Sequence, residues 1–368
     1  MRQNRSHRVN RESFQCFSEP HCGNHLHHTA FQRQAFTNSV NHAMVCSKKQ
    51  LYSPMNMTTA RPNSMPPAAQ TLNIRSQDGS EFQAQYWDLP DADTVVHLTH
   101  GMAEHVQRYQ PLVVALQQAG FAVAMHNHRG HGERTPTGHF ADQGQSGWEA
   151  VIDDIWQVQQ LTRQPRRILF GHSMGSFIAQ GFARRHGDHL SGLILSGSNY
   201  QGPLLYQAAR AVAWTERSLR GDKHPSSLLN ALSFASFNRA FRPTSTPFDW
   251  LSRDPDEVQA YIQDEHCGHL CSTQLWVELM TGLIEISQAD ALRAIPSELP
   301  VLLIAGDKDP VGQQGRGVKR LAQQFRQTGH HNVTCTLYPD ARHEVLNEIN
   351  AEQVRGDMLR WLQQLDKE

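Results

Sequence analysis

The sequence predicts an α/β fold: a mostly parallel sheet with helices on both faces and a helical cap inserted before its last strands. Three observations lead there. Short apolar runs such as Thr94–Thr99, Arg167–Phe170 and Pro300–Ala305 alternate with stretches of helical length, and strands that are apolar on both sides belong to a sheet covered twice. One run passes through Gly171-His172-Ser173-Met174-Gly175 into a helical stretch ending near Arg184, a strand–turn–helix that holds a serine between small residues. The interval 200–295 then breaks the alternation with helical, aromatic-rich sequence.

The elements follow in order from Thr71. Thr71–Arg75 and Glu81–Trp87 alternate apolar and polar residues around Asp78-Gly79, the pattern of a β-hairpin. Thr94–Thr99 is a strand, Pro111–Ala119 a helix closed by Gly120, and Phe121–Met125 the next strand. A helix over Trp148–Leu161 leads to the strand before Ser173, and Leu190–Leu195 is a strand after its helix. Strands at Pro300–Ala305 and Val333–Leu337, with helices at Gly317–Gln327 and Glu344–Gln364, complete the sheet. Residues 69–199 and 296–368 thus form the core and 200–295 a cap. Trp214, Phe234, Phe237, Phe248, Trp250 and Trp276 make that cap either a lid over an apolar site or an added core layer.

Residues 1–68 differ from the rest. They are rich in Asn, Gln, His, Arg and Ser and show neither helical nor strand periodicity, so a disordered extension is expected. Met55 and Met57 are candidate natural starts, and Cys16, His21, Cys22, His25, His27 and His28 form a tract suited to adventitious metal binding. Across the 368 residues, 34 basic and 35 acidic side chains leave a net charge of −1. No field of one sign draws the chain to nucleic acid. No window approaches ~20 uninterrupted apolar residues, so no stable membrane span is expected, and the polar start lacks a secretory core. A cytoplasmic protein with reduced thiols is the expectation.

A serine is a weak nucleophile that needs a base, and the base an orienting carboxylate. With Ser173 as nucleophile, the base is expected after the last strand, where His343 is the one histidine between that strand and the C-terminus. His330 and His331 precede the strand and are expected at the surface. Asp307 and Asp309 both lie in the loop Gly306-Asp307-Lys308-Asp309-Pro310-Val311 at a strand's carboxyl end. Asp309 sits deeper, with Pro310 fixing the chain behind it, while Asp307 is placed to brace the loop. The developing oxyanion calls for backbone N–H donors, and Met174 and Met102 are the candidates, with Gly101 allowing close approach. The tract His126-Asn127-His128-Arg129-Gly130-His131-Gly132 lies on a glycine-punctuated loop and reads as packing. His266, Cys267, His269 and Cys271 have an alternate spacing that would suit zinc on a strand, but they sit in the helical insert, so a metal site is not expected there.

Together these residues resemble the monoacylglycerol lipase and lysophospholipase branch of the α/β-hydrolases. The matching pieces are His100-Gly101-Met102-Ala103-Glu104-His105 with Arg108-Tyr109, Arg129-Gly130-His131-Gly132, and Gly171-His172-Ser173-Met174-Gly175. They continue with Tyr261-Ile262-Gln263-Asp264, Cys267-Gly268, Gly306-Asp307-Lys308-Asp309-Pro310-Val311 and Arg342-His343-Glu344-Val345-Leu346-Asn347-Glu348. The resemblance implies the α/β-hydrolase fold over about residues 70 to 366, Asp309 as the acid, and oxyanion donors at Met102 and Met174. It implies a helical lid, no metal or cofactor, and Cys267 in a packing motif. The implied activity is serine-dependent hydrolysis of a small, lipid-like acyl ester, with at most transient membrane contact. Asn127 stands where the family usually has Asp, a departure expected to affect loop support. Thioesterase, amidase or aminopeptidase chemistry on the same triad stays open, with Glu104 or an acid from the insert a candidate holder of a free amine, as does a non-catalytic scaffold.

Overall fold

In the computed structural model, residues 68–134, 138–141 and 146–365 are described. The expectations for the N-terminal extension and its metal-binding tract lie outside them. Eight strands form one sheet: β1 Gln70–Arg75, β2 Glu81–Trp87, β3 Thr94–Thr99, β4 Ala122–His126, β5 Arg166–His172, β6 Gly192–Ser196, β7 Val301–Gly306 and β8 Val333–Tyr338, ordered β1-β2-β4-β3-β5-β6-β7-β8. β1–β2 and β2–β4 are antiparallel, and every later pairing is parallel. The expected hairpin turns at Gly79 (φ 84°), with Ser80 N–H donating to Asp78 Oδ1 at 3.0 Å.

Helices α1 Gln110–Gln118, α2 Gly147–Leu161 and α3 Met174–His186 connect the first strands. Between β6 and β7 come α4 Pro203–Arg220, α5 Ser227–Leu232, α6 Phe234–Phe237, α7 Pro255–Gln263, α8 Thr273–Ile286 and α9 Ala289–Arg293, and the chain ends with α10 Arg316–Gln327 and α11 Ala351–Leu365. Alternate side chains of a strand point to opposite faces, and the core divides accordingly. Val96, Leu98, Ile168, Phe170, Ile194, Leu302 and Ile304 pack under α1 and α11. Leu169, Leu193, Leu195, Val301 and Leu303 pack under α2, α3 and α10, joined there by Leu275, Leu279 and Leu283 of α8. The inserted helices therefore rest on the core through α8.

Two expectations are corrected. The last helix begins at Ala351, not at Glu344. In the intervening segment Glu344 N–H donates to Leu251 O at 2.8 Å and the Glu348 carboxylate accepts from Arg342 N–H at 2.7 Å, so partners in the insert and the preceding loop take groups that a helix would use internally. His330 is buried, not at the surface. Its Nδ1 meets the Phe325 carbonyl at 3.1 Å and its ring packs edge-on against Phe325 at 5.0 Å, closing the end of α10. His331 is exposed as expected.

Candidate active site

Ser173 is the single residue between β5 and α3. Its backbone lies at φ 52°, ψ −120°, a left-handed conformation that costs a non-glycine residue about 1–3 kcal/mol. Close packing enforces the turn. A Cβ on Gly171 would stand 2.4 Å from the Gly175 carbonyl oxygen, and one on Gly175 would stand 2.5 Å from the carbonyl oxygens of both Thr99 and His100. Only glycine at both places lets α3 start directly against the ends of β5 and β3. Ser173 N–H donates to Ser196 O at 2.9 Å, which anchors the turn to β6. His172 and Met174 are buried while Ser173 keeps partial exposure.

Asp309 and His343 leave the carboxyl ends of β7 and β8 and are almost completely buried. His343 Nδ1 lies 3.0 Å from Asp309 Oδ1, an ion-pair distance at which the N–H direction is not aligned as a linear hydrogen bond. Asp309 Oδ1 also accepts from Val311 N–H at 2.8 Å. Burial resists charging of the His343 imidazole, but attraction to Asp309, then to Glu344 and Glu104, outweighs it and holds the pKa above 6.5. Asp307 stands elsewhere: its Oδ1 accepts from Asp340 N–H at 2.8 Å, bracing one loop against the other. His343 packs between His172 (ring centroids 4.7 Å) and Trp250 of the insert (5.0 Å). It also faces Gly197, where a Cβ would stand 2.9 Å from its Cε1. Ser173 and His343 thus both adjoin the end of β6.

The loop after β3 reaches the same place. A Cβ on Gly101 would stand 3.2 Å from Ser173 Cβ, and Met102 and Met174 are buried in one apolar cluster. Behind this loop lies a charged network whose members entered the sequence reading only as pieces of a resemblance, apart from Glu104. Glu104 accepts from Gly101 N–H at 2.6 Å, from the Tyr109 hydroxyl at 2.9 Å and from Arg108 at 3.0 Å. Arg108 then grips Glu344, the neighbour of His343, with two bonds of 2.6 and 2.7 Å. Burial raises both carboxyls, but the two-pronged contact with Arg108 overcomes it at Glu344, which falls to about 2, and not at Glu104, which stays raised. The insert joins in: the Tyr261 hydroxyl donates to Ala103 O at 2.8 Å, its ring lies 4.9 Å from the Arg108 guanidinium, and Gly268 N–H donates to the same carbonyl at 2.9 Å.

The histidine tract is buried. His100, His126, His128 and His131 are fully enclosed, and burial first of all drives His131 down to about 3. Asn127 Oδ1 accepts from Val106 N–H at 3.0 Å, so it supports the neighbouring loop in spite of its departure from the family pattern. His266, Cys267, His269 and Cys271 do not form one cluster. Cys267 lies with His105 and Asp264, whereas His269 and Cys271 meet His131.

Comparison with known proteins agrees with this arrangement. The family described as serine aminopeptidase, S33, matches residues 90–350. A monoacylglycerol lipase of Mycolicibacterium smegmatis is 28% identical over 288 residues, covering 74% of this chain and 90% of the relative. Among solved structures, a thermostable carboxyl esterase from Bacillus coagulans in complex with glycerol superposes with a TM-score of 0.74 at 28% identity, over 81% of this chain and 99% of that one. A lipase in its open form superposes with a TM-score of 0.70 at 30% identity and the same coverage.

Proposed function

From the premise that this chain belongs to the serine aminopeptidase, S33, family of α/β-hydrolases and is a serine hydrolase, we propose that it is a carboxylic-ester hydrolase. Its substrate in this reading is the single acyl ester of a monoacylglycerol or lysophospholipid-like molecule. The observation that carries the reading is the buried Asp309–His343 pair, 3.0 Å apart, at the same strand ends as the strained Ser173 and beneath the aromatic side chains of the insert. Ser173 Oγ attacks the ester carbonyl carbon while His343 Nε2 takes its proton, and Asp309 holds the Nδ1–H tautomer. Charge gathers on the carbonyl oxygen, where the N–H groups of Met102 and Met174 donate. His343 returns the proton to the departing alcohol as the C–O bond breaks. Water, deprotonated by the same imidazole, then attacks the acyl carbon, and the imidazolium returns the proton to Ser173 Oγ as its bond to the acid breaks.

The M. smegmatis relative, a monoacylglycerol lipase, and the two structural neighbours, an esterase and a lipase, support an ester. The family description raises the aminopeptidase reading, but Glu104, the acid considered for holding a free amine, is occupied by Gly101, Tyr109 and Arg108. Leu204, Leu205, Trp214 and Leu219 of α4 are exposed, which suits transient contact with a lipid surface, and no described helix is long and apolar enough to cross a membrane.

A fluorophosphonate probe is expected to label the wild-type chain and to leave Ser173→Ala unlabelled. Equal labelling of the two would remove Ser173 as nucleophile. A panel comprising a monoacylglycerol, a lysophospholipid, thioesters and aminoacyl amides decides the acyl class, and preferential turnover of the amides would replace the esterase reading.

A further inference from the structure

We propose that His131, His269 and Cys271 form a zinc-class cation site joining the insert to the core, independent of the hydrolytic triad. His131 follows β4, and the other two lie in the segment between α7 and α8. One donor atom from each lies within 4.8 Å of the others, although the two histidines are 138 positions apart in sequence.

The donors are poised. His131 Nδ1 meets the Arg129 carbonyl at 2.9 Å; an N–H donating there leaves Nε2 with its lone pair, and that atom is buried with no hydrogen-bond partner. Metal-binding histidines are oriented in just this way by a carbonyl on the far nitrogen. Both ring nitrogens of His269 are buried without an aligned partner, the nearby His266 backbone included. The two rings lie 5.2 Å apart, and Cys271 is 3% exposed. The backbone beside the thiol is fixed from the core side, because Ser272 N–H and Oγ–H both donate to Gly138 O, at 3.2 and 2.8 Å.

Two imidazoles and a thiolate select zinc over magnesium or calcium, which take oxygen ligands. Zn–N distances of about 2.0–2.1 Å and a Zn–S distance of about 2.3 Å would draw the three atoms closer together, a change within reach of the half-buried His269 side chain. On binding, the Cys271 S–H proton leaves to solvent and the sulfur electron pair forms the Zn–S bond, with water in the fourth position. The second triplet, His105, Asp264 and Cys267, is equally compact but is not equivalent. His105 Nε2 and Asp264 Oδ2 already satisfy each other at 2.7 Å, so that pair offers no free donor atoms comparable to those of His131 and His269.

The test uses full-length protein carrying Cys16→Ser and Cys22→Ser, which silences the thiols of the N-terminal tract, treated with chelator and titrated with Co²⁺. A thiolate-to-cobalt charge-transfer band saturating at about one equivalent and displaced by Zn²⁺ is expected. It should vanish in Cys271→Ala, persist in Cys267→Ser, and need at least about tenfold more cobalt in His269→Ala. Zinc should raise the unfolding midpoint of the parent and not of Cys271→Ala. A band that is absent, or undiminished in Cys271→Ala, overturns the site. If Cys271→Ala does not fold, His269→Ala decides, since unchanged cobalt affinity there also overturns it.

Discussion

His343 sits where burial and negative charge pull its proton affinity in opposite directions. Burial favours the neutral ring, Asp309 and its acidic neighbours favour the cation, and the charges win. A base accepts a proton only when neutral, so a raised pKa moves the acid limb of activity upward. With a neutral ester, kcat/KM is expected to rise with pH through an inflection above 6.5. Replacing Asp309 with Asn removes the largest attraction, so the inflection should move down while kcat falls by about 10⁴-fold, through loss of the oriented tautomer. An inflection unmoved in Asp309→Asn would show that the titrating group is not His343. The choice between Asp307 and Asp309 marks the limit of residue-by-residue reading. Both carboxylates suit a strand-end loop, and what separates them is a partner: Asp307 faces Asp340 across a neighbouring turn, while Asp309 faces His343.

Among the elements, legibility follows how local the determining forces are. The strand–turn–helix at Ser173 is legible because the residues that make it, Gly171 to Gly175, are adjacent in sequence, even though the carbonyls that Gly175 admits come from the end of β3. The start of α11 was not readable, because Glu344 is drawn away by Arg108, 236 positions distant. The packing reading of the histidine tract likewise gave no sign of His269 and Cys271 beside His131, since nothing in either segment announces the other. The Glu104–Arg108–Glu344 network ties the loop after β3 to the loop carrying His343, with Tyr261 stacked over the guanidinium. Arg108→Met leaves two buried carboxylates uncompensated, and breaking such a pair costs about 3–5 kcal/mol. Urea unfolding should therefore show a lower midpoint with an unchanged slope, partly restored when Glu344→Gln is added. A loss below about 1 kcal/mol would mean that the carboxylates find other partners or protonate at little cost. The sign of the pH effect also follows. Glu344 falls from 4.5 to about 2 on folding, so its stabilisation is complete above 4.5, declines as pH falls toward 2, and should be missing at neutral pH in Glu344→Gln.

For the molecule as a whole, the question left by the fold is whether the inserted helices gate the site or merely thicken the core. α8 behaves as a core layer, seated on α2 and α3. The segment from α6 to Trp250 behaves differently, because its aromatic cluster converges on His343. Trp250 stacks on Phe234 at 5.5 Å, meets Phe237 at 5.2 Å and lies 5.0 Å from His343. An acyl chain leaving water against such a wall gains about 0.8 kcal/mol per methylene, roughly fourfold in kcat/KM for each carbon while the wall lasts. Across p-nitrophenyl esters, the wild-type chain should therefore favour medium or long acyl groups over acetate. Phe237→Ala removes a partly buried ring from the cluster without touching Ser173, Asp309 or His343, and acetate turnover should stay within about twofold of wild type. Turnover of octanoate should fall by about tenfold or more, flattening the profile, if the ring supports contact with the distal two or three methylenes. Equal proportional losses at every chain length would assign the cluster to packing alone. A length-dependent loss makes the insert the element that reads the acyl chain, and places specificity in the segment between β6 and β7 while the strand ends keep the chemistry.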